Sequence, residues 1–259
     1  MYVLIYDGSF DGFLSAVFDV YYYKFEAPHI VSEPHFNGNI FENVHTVVTN
    51  QKHSTRVWTG LTKKTSPEAV QQVYKTFLSG LPNIENVLLQ FIQYAFGSPL
   101  AIETDYGNAA VLAVHQTARK VAREAHRMEA FVRFQQTADG LFYAIIEPDF
   151  NVLPLLTTHF KDRYADQRWM IWDGKRRYGI YYDLSDVATV QVTFDTHTNS
   201  GKDISAVYDE NEALYQQLWQ QYFKSVNIAA RKNTKLHIQH MPVRYWKYLP
   251  EKQRLRKQL

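Results

Sequence analysis

The chain has 259 residues, enough for one or two domains and for a sizeable buried core without staples or metal. It contains no cysteine, which excludes disulfides, cysteine-bound zinc, iron–sulfur clusters and thiol nucleophiles. Any chemistry must use His, carboxylates, Ser/Thr, Lys/Arg or Tyr, or a borrowed cofactor, and the net charge of +2 names no partner by itself.

Residues 2–6 predict a short buried strand, followed by the turn Asp7-Gly8-Ser9-Phe10-Asp11-Gly12 and an apolar helix from Phe13 to about Phe25. Strand–turn–helix suggests an α/β layer. Asp7 follows the first apolar run too soon for a secretory leader, and no run approaches the ~18 residues of a membrane span, so a cytoplasmic protein is expected. Val44–Thr49 reads as a second strand. Ser66-Pro67-Glu68 is a helix start, with a Ser cap and Pro in the first turn, for a helix to about Ser79. Another helix is predicted over Asn83–Phe96, between the breaks Gly80-Leu81-Pro82 and Gly97-Ser98-Pro99.

The longest helix is predicted over Asp105–Glu129, because Val111, Val114, Ala118, Val121, Ala125 and Met128 recur at three- and four-residue steps and form one apolar stripe. Arg119, Arg123 and Arg127 step by four on another face, with Lys120 beside them. They form either a polyanion-binding ridge or a solvated face paired locally with Glu124. A hairpin is expected from Phe131–Gln136 and Leu141–Glu147 through an Asp139-Gly140 turn. A helix over Val152–Tyr164 follows, then strands at Arg168–Trp172, Tyr178–Asp183 and Ala188–Phe194, and an amphipathic helix over Asp209–Val226. The expected fold class is therefore α+β, a strand–turn–helix layer with helices followed by a mainly antiparallel strand-rich half, a C-terminal helix and a basic tail. One extended unit over 1–259 is expected, with subdomains 1–100 and 101–259 as the alternative.

The charge is uneven. From Arg231 to Leu259 there are nine basic residues and one acid, a net +8, whereas the other 230 residues hold 19 basic and 25 acidic groups, a net −6. A basic segment on an acidic body suggests a polyanion partner, or a tail docked on the protein's own acids.

Four polar clusters are candidate sites. Asp7, Gly8, Ser9 and Asp11 form a ligand loop after the first strand that could hold a phosphate or metal, or be a Gly-rich turn with a helix cap. His126-Arg127-Met128-Glu129 with Arg133 could join an acid–base His to phosphate-clamping arginines, or be an ion-pair network. Glu147, Asp149 and His159 are candidate catalytic groups together with His126. No tight ligand spacing supports a metal there, and neither metal nor cofactor is expected. The tail interleaves Arg231, Lys235, Arg244 and Lys247 with Tyr245 and Trp246, the composition of a nucleic-acid contact in which cations meet phosphate and rings stack on bases. The alternative is that the rings pin the segment to the body.

The stretches Tyr6-Asp7-Gly8-Ser9-Phe10-Asp11-Gly12-Phe13-Leu14, His126-Arg127-Met128-Glu129-Ala130-Phe131-Val132-Arg133-Phe134, Glu147-Pro148-Asp149, Leu153-Pro154-Leu155 with His159-Phe160, Asp166-Gln167-Arg168-Trp169 and Met241-Pro242-Val243-Arg244-Tyr245-Trp246-Lys247 occur in this order. Through them the chain resembles a bacterial family of DNA-metabolism or DNA-repair proteins of otherwise unknown function. Its members are encoded beside a radical-SAM protein, and in some bacteria a related domain is fused to a uracil-DNA-glycosylase-like module of the UdgX type. The resemblance implies DNA as ligand and a radical-SAM iron–sulfur protein as partner. Glu129 stands where many relatives have Lys, which weakens a catalytic role at that position. A DNA-binding repair component is thus the first expectation. A stand-alone enzyme acting on a modified base or DNA end, and an assembly subunit without nucleic-acid contact, are the alternatives.

Overall fold

The computed structural model describes residues 2–36, 38, 43–191 and 238–252. The helix expected over Asp209–Val226, and the candidate contacts Arg231 and Lys235, lie outside the described residues. The fold is mixed α/β, as expected. Contacts divide the chain into two units, Met1–Ala122 and Arg123–Leu259, with the boundary inside one long helix.

In the first unit, strand β1 (Tyr2–Tyr6) is the centre of a three-stranded parallel sheet, flanked by β2 (Pro28–Ser32) and β3 (Asn43–Thr46). Val3, Leu4 and Tyr6 are buried, the near-continuous burial expected of a parallel strand covered by helices. Helix α1 (Phe10–Tyr22) begins three residues before the expected start, because Ser9 caps it: its hydroxyl accepts the Gly12 N–H at 2.9 Å. Phe13, Leu14, Val17 and Val20 of α1 are buried, and enclosing a side chain such as Phe13 contributes roughly 1.5–3 kcal/mol.

Helix α2 (Gln51–Lys64) was not foreseen. It is capped by Asn50, whose side-chain oxygen accepts the N–H groups of Lys52 and His53, and it buries only Ser54, Val57 and Leu61. Helices α3 (Pro67–Phe77) and α4 (Ile84–Gly97) lie where expected, α3 with its Ser66 cap. Leu88, Leu89, Phe91 and Ile92 of α4 join Leu4, Phe13, Val17 and Ile30 in one core.

Helix α5 (Ala109–Phe131) carries the unit boundary, and all six residues of its foreseen stripe are buried. In the second unit a five-stranded sheet has the order β4-β5-β6-β7-β8, with β4 at Gln135–Gln136, β5 at Phe142–Ile146, β6 at Trp169–Asp173, β7 at Tyr178–Tyr182 and β8 at Val187–Val190. Three of its pairings are antiparallel. The β5–β6 pairing is parallel, because helix α6 (Leu153–Arg163) carries the chain back between them. The expected hairpin keeps its turn, with Gly140 at φ +79° and Thr137 N–H bonded to Leu141, but its first strand shrinks to two residues because α5 runs on to Phe131. Phe134, Phe160, Trp169 and Tyr182 follow one another through this unit's core, the first two contacts edge-on and the last stacked.

Candidate functional site

In open α/β sheets, ligand-facing groups gather at the carboxyl ends of parallel strands. Strand β5 ends into Glu147-Pro148-Asp149, and β6 ends at Asp173, which pairs in register with Ile146. The 3-10 helix Val243–Tyr248 contacts β5 and brings Arg244 and Lys247 to these acids.

The centre of the cluster is Glu124 of α5, only 2% exposed. One carboxylate oxygen accepts the Asp149 N–H at 3.0 Å and the other accepts the Phe150 N–H at 2.7 Å. The Tyr245 hydroxyl donates to it at 2.5 Å, and Arg244 lies 3.7 Å away. Arg244 also pairs with Asp149 at 3.0 Å, donates to the Tyr245 hydroxyl oxygen and covers the Tyr245 ring at 4.7 Å. Burial, and then the neighbouring Glu124, push the Tyr245 hydroxyl well above the ordinary phenol range, so it stays a donor. Buried carboxylates persist when their lone pairs are filled in this way. One of the two readings of the α5 ridge put Glu124 on a solvated face, and its burial corrects that alternative. Its signal was its place between Val121 and Met128, beside the apolar stripe.

A second layer surrounds this centre. Lys247 pairs with Glu147 at 2.9 Å and lies over the Tyr248 ring. Hydrogen bonds donated to Tyr248 and Glu147 hold the Lys247 ammonium above its ordinary pKa. Asp173, fully buried, accepts the N–H groups of Lys175 and Arg176 and pairs with the Arg176 guanidinium at 2.8 Å. Arg176 then donates to the carbonyls of Pro148 and Asp149. Arg133 caps the end of α5 through the carbonyls of Ala130 and Val132 and pairs at 2.9 Å with Glu251, whose side chain is buried. Arg127 donates to the Gln239 carbonyl. Asp173 and Arg176 were missed by motif reasoning, since their roles depend on pairings made far along the chain.

The candidates therefore separate. Tyr245 and Trp246 are 5% and 3% exposed, with the cations of Arg244 and Lys252 over their rings, so they pin the segment and offer no open face to a base. Arg133, Arg244 and Lys247 are ion-paired within the unit. His126 is exposed and bonds Glu129 at 3.1 Å, while His159 packs edge-on against Phe160. The cluster joins Glu147 and Asp149 to basic side chains. Arg119, Lys120 and Arg123 of α5 are exposed.

In the first unit the ligand loop closes on itself. Asp7 accepts the Ser9 N–H at 2.9 Å, the Ser9 hydroxyl at 2.7 Å and, on its other oxygen, the Thr49 hydroxyl at 2.7 Å. Burial raises the Asp7 pKa, but these bonds outweigh it and hold the carboxyl below its ordinary value. Gly8 has φ +83°, and a Cβ on Gly12 would fall 2.1 Å from an Asp7 oxygen, so both glycines are needed for this turn. Asp11 sits in the first turn of α1, where its charge suits the helix dipole.

Among the described residues no cluster of three or more His, Asp or Glu could hold a metal, and no helix is long and apolar enough to cross a membrane. The family model of a domain of unknown function, DUF4130, matches residues 82–251, a span that includes every member of the Glu124 cluster. No curated protein matches the chain.

Proposed function

Because the chain belongs to the DUF4130 family, whose description assigns no activity, we propose its function from the charge it leaves exposed: it binds nucleic acid through phosphate contacts and serves DNA metabolism. The observation that carries this is the α5 ridge. Arg119, Lys120 and Arg123 are exposed, and among the described residues none of them is ion-paired, whereas Arg133, Arg244 and Lys247 are. A cation with no carboxylate beside it keeps its charge for a phosphate, and phosphate contacts dominate affinity for nucleic acid. The absence of cysteine assigns any radical step to the radical-SAM partner that the resemblance implies, and a glycosylase-like module would supply base chemistry in the same way.

The test is the affinity of the full chain for labelled DNA across a salt series. Binding should fall linearly on a log–log plot, and Arg119→Gln with Arg123→Gln should lower the slope by about 1.8 on duplex. Absence of binding at low salt for the chain alone and for the co-expressed radical-SAM pair overturns the proposal. Co-purification of the pair tests the partnership.

A further inference from the structure

The unforeseen helix α2 has the sequence QKHSTRVWTGLTKK, with four Lys or Arg and no acid. Lys52, Arg56 and Lys63, together with Thr55, Thr59 and Gly60, fall on one face of the helix and line an open depression. Its neighbour α1 ends in exposed rings: Tyr21 is 45% exposed and Tyr22 is 65% exposed. These rings are held in an aromatic row. Tyr22 stacks on Phe18 at 5.8 Å, Phe18 stacks on His53 at 3.9 Å, and Tyr21 lies 5.8 Å from Phe96. Arg56 sits 5.8 Å above the Phe18 ring and lines both the basic depression and a second, aromatic one beside it. Gly60 lines both depressions, and a Cβ there would meet the Phe96 ring in van der Waals contact at 3.4 Å.

A glycine in a helix interior costs roughly 0.5–1 kcal/mol relative to alanine, and tyrosines held out in water forgo burial. What they build here is a row of cations beside a row of ring faces. Phosphates suit the first row and unstacked bases the second, the arrangement by which single strands are held without reading sequence. A duplex keeps its bases stacked inside and could use only the cations. An acidic peptide likewise has no use for the rings.

We propose that the α1–α2 face of the first unit is the docking surface for a single-stranded segment of nucleic acid, with Lys52, Arg56 and Lys63 on phosphates and Tyr21 and Tyr22 under bases. This rests on the nucleic-acid function above and adds the form that is recognised. The experiment measures fluorescence anisotropy of the full chain with labelled oligothymidylate, a duplex of equal length and polyglutamate. Oligothymidylate should bind more tightly than the duplex. Tyr21→Ala with Tyr22→Ala should weaken it by about thirtyfold or more, with melting temperature nearly unchanged because both rings are exposed. Tyr21→Phe with Tyr22→Phe should bind like the parent. Arg56→Gln with Lys63→Gln should lower the salt slope on single strands by about 1.4. Oligothymidylate binding that survives the alanine and glutamine changes on this face but is lost in Arg119→Gln with Arg123→Gln overturns this site and leaves the broader function standing. Failure of the parent to bind any DNA, both alone and as the co-expressed pair, overturns both. Polyglutamate binding as tightly as oligothymidylate, with equal loss in the Arg56→Gln variant, overturns the site in favour of an acidic protein partner.

Discussion

Glu124 shows what one buried carboxylate demands of its surroundings. Every group that faces it is a donor: two backbone N–H groups, the Tyr245 hydroxyl and, farther off, Arg244. Glu124→Gln would turn an amide NH2 toward one of these donors and leave Arg244 under-compensated, so it should destabilise the protein by about 3 kcal/mol in a denaturant titration. Tyr245→Phe removes one bond to the same carboxylate and should cost about 2 kcal/mol. Asp7 gives a pH signature. Its folded pKa lies below its unfolded value, so its contribution is fully present above the unfolded value, near ~4, and is lost as pH falls through the folded one. The urea midpoint of the parent should exceed that of Asp7→Asn at neutral pH, and the gap should close in acid. A gap independent of pH would mean that the charge of Asp7 does not matter. Tyr245 and Trp246 were recognisable as important, and pinning was one of two stated roles. Which role they play depends on burial, and burial depends on where Glu124 and β5 lie.

Among the elements, legibility followed hydrophobic periodicity. The stripe of α5 and the Ser66-Pro67 start of α3 were readable because each is encoded by neighbours three or four residues apart. Helix α2 was not, since it buries three residues in fourteen and carries a mid-helix glycine. Strand β2 opens on a proline and gains its regularity from pairing with β1, a contact about 26 residues away by register. Phe131-Val132-Arg133-Phe134 alternates like a strand, but α5 runs into it and Arg133 takes the last carbonyls. In β7, Gly179 faces Trp172 across the ladder, and a Cβ there would lie 2.9 Å from the Ile171 carbonyl oxygen and 3.0 Å from the Trp172 ring. Gly179→Ala should therefore cost about 1–3 kcal/mol of stability, measured by chemical denaturation, with Trp fluorescence reporting the shift of Trp172.

At the scale of the whole molecule, the net charge proved less informative than its placement. Part of the basic C-terminal segment is spent inside the second unit, on Asp149, Glu147 and Glu124. Among the described residues, α2 and α5 carry exposed cations, which the tail's composition did not indicate. The matched family span begins at residue 82, ahead of α4, whereas the first unit runs to Ala122. A fragment cut to residues 82–251 would keep α4 but lose α2, α3 and β2, against which α4 packs, and with them much of the core that Leu88, Phe91 and Ile92 share. Such a fragment should bind a hydrophobic dye strongly and unfold with less cooperativity than the full chain. A sharp two-state transition with no dye binding would show that the family span folds without the first β-layer.

The distance in sequence between Glu124 and its closing partners also orders events during synthesis. Glu124 leaves the ribosome about 120 residues before Tyr245 arrives to satisfy it. The first unit's core is complete by Val114 and can form on the nascent chain. The second unit must wait with an open acidic seam. A message truncated ahead of residue 244 would leave that seam permanently unfilled, and such a product should be cleared by proteolysis rather than accumulate as a folded protein.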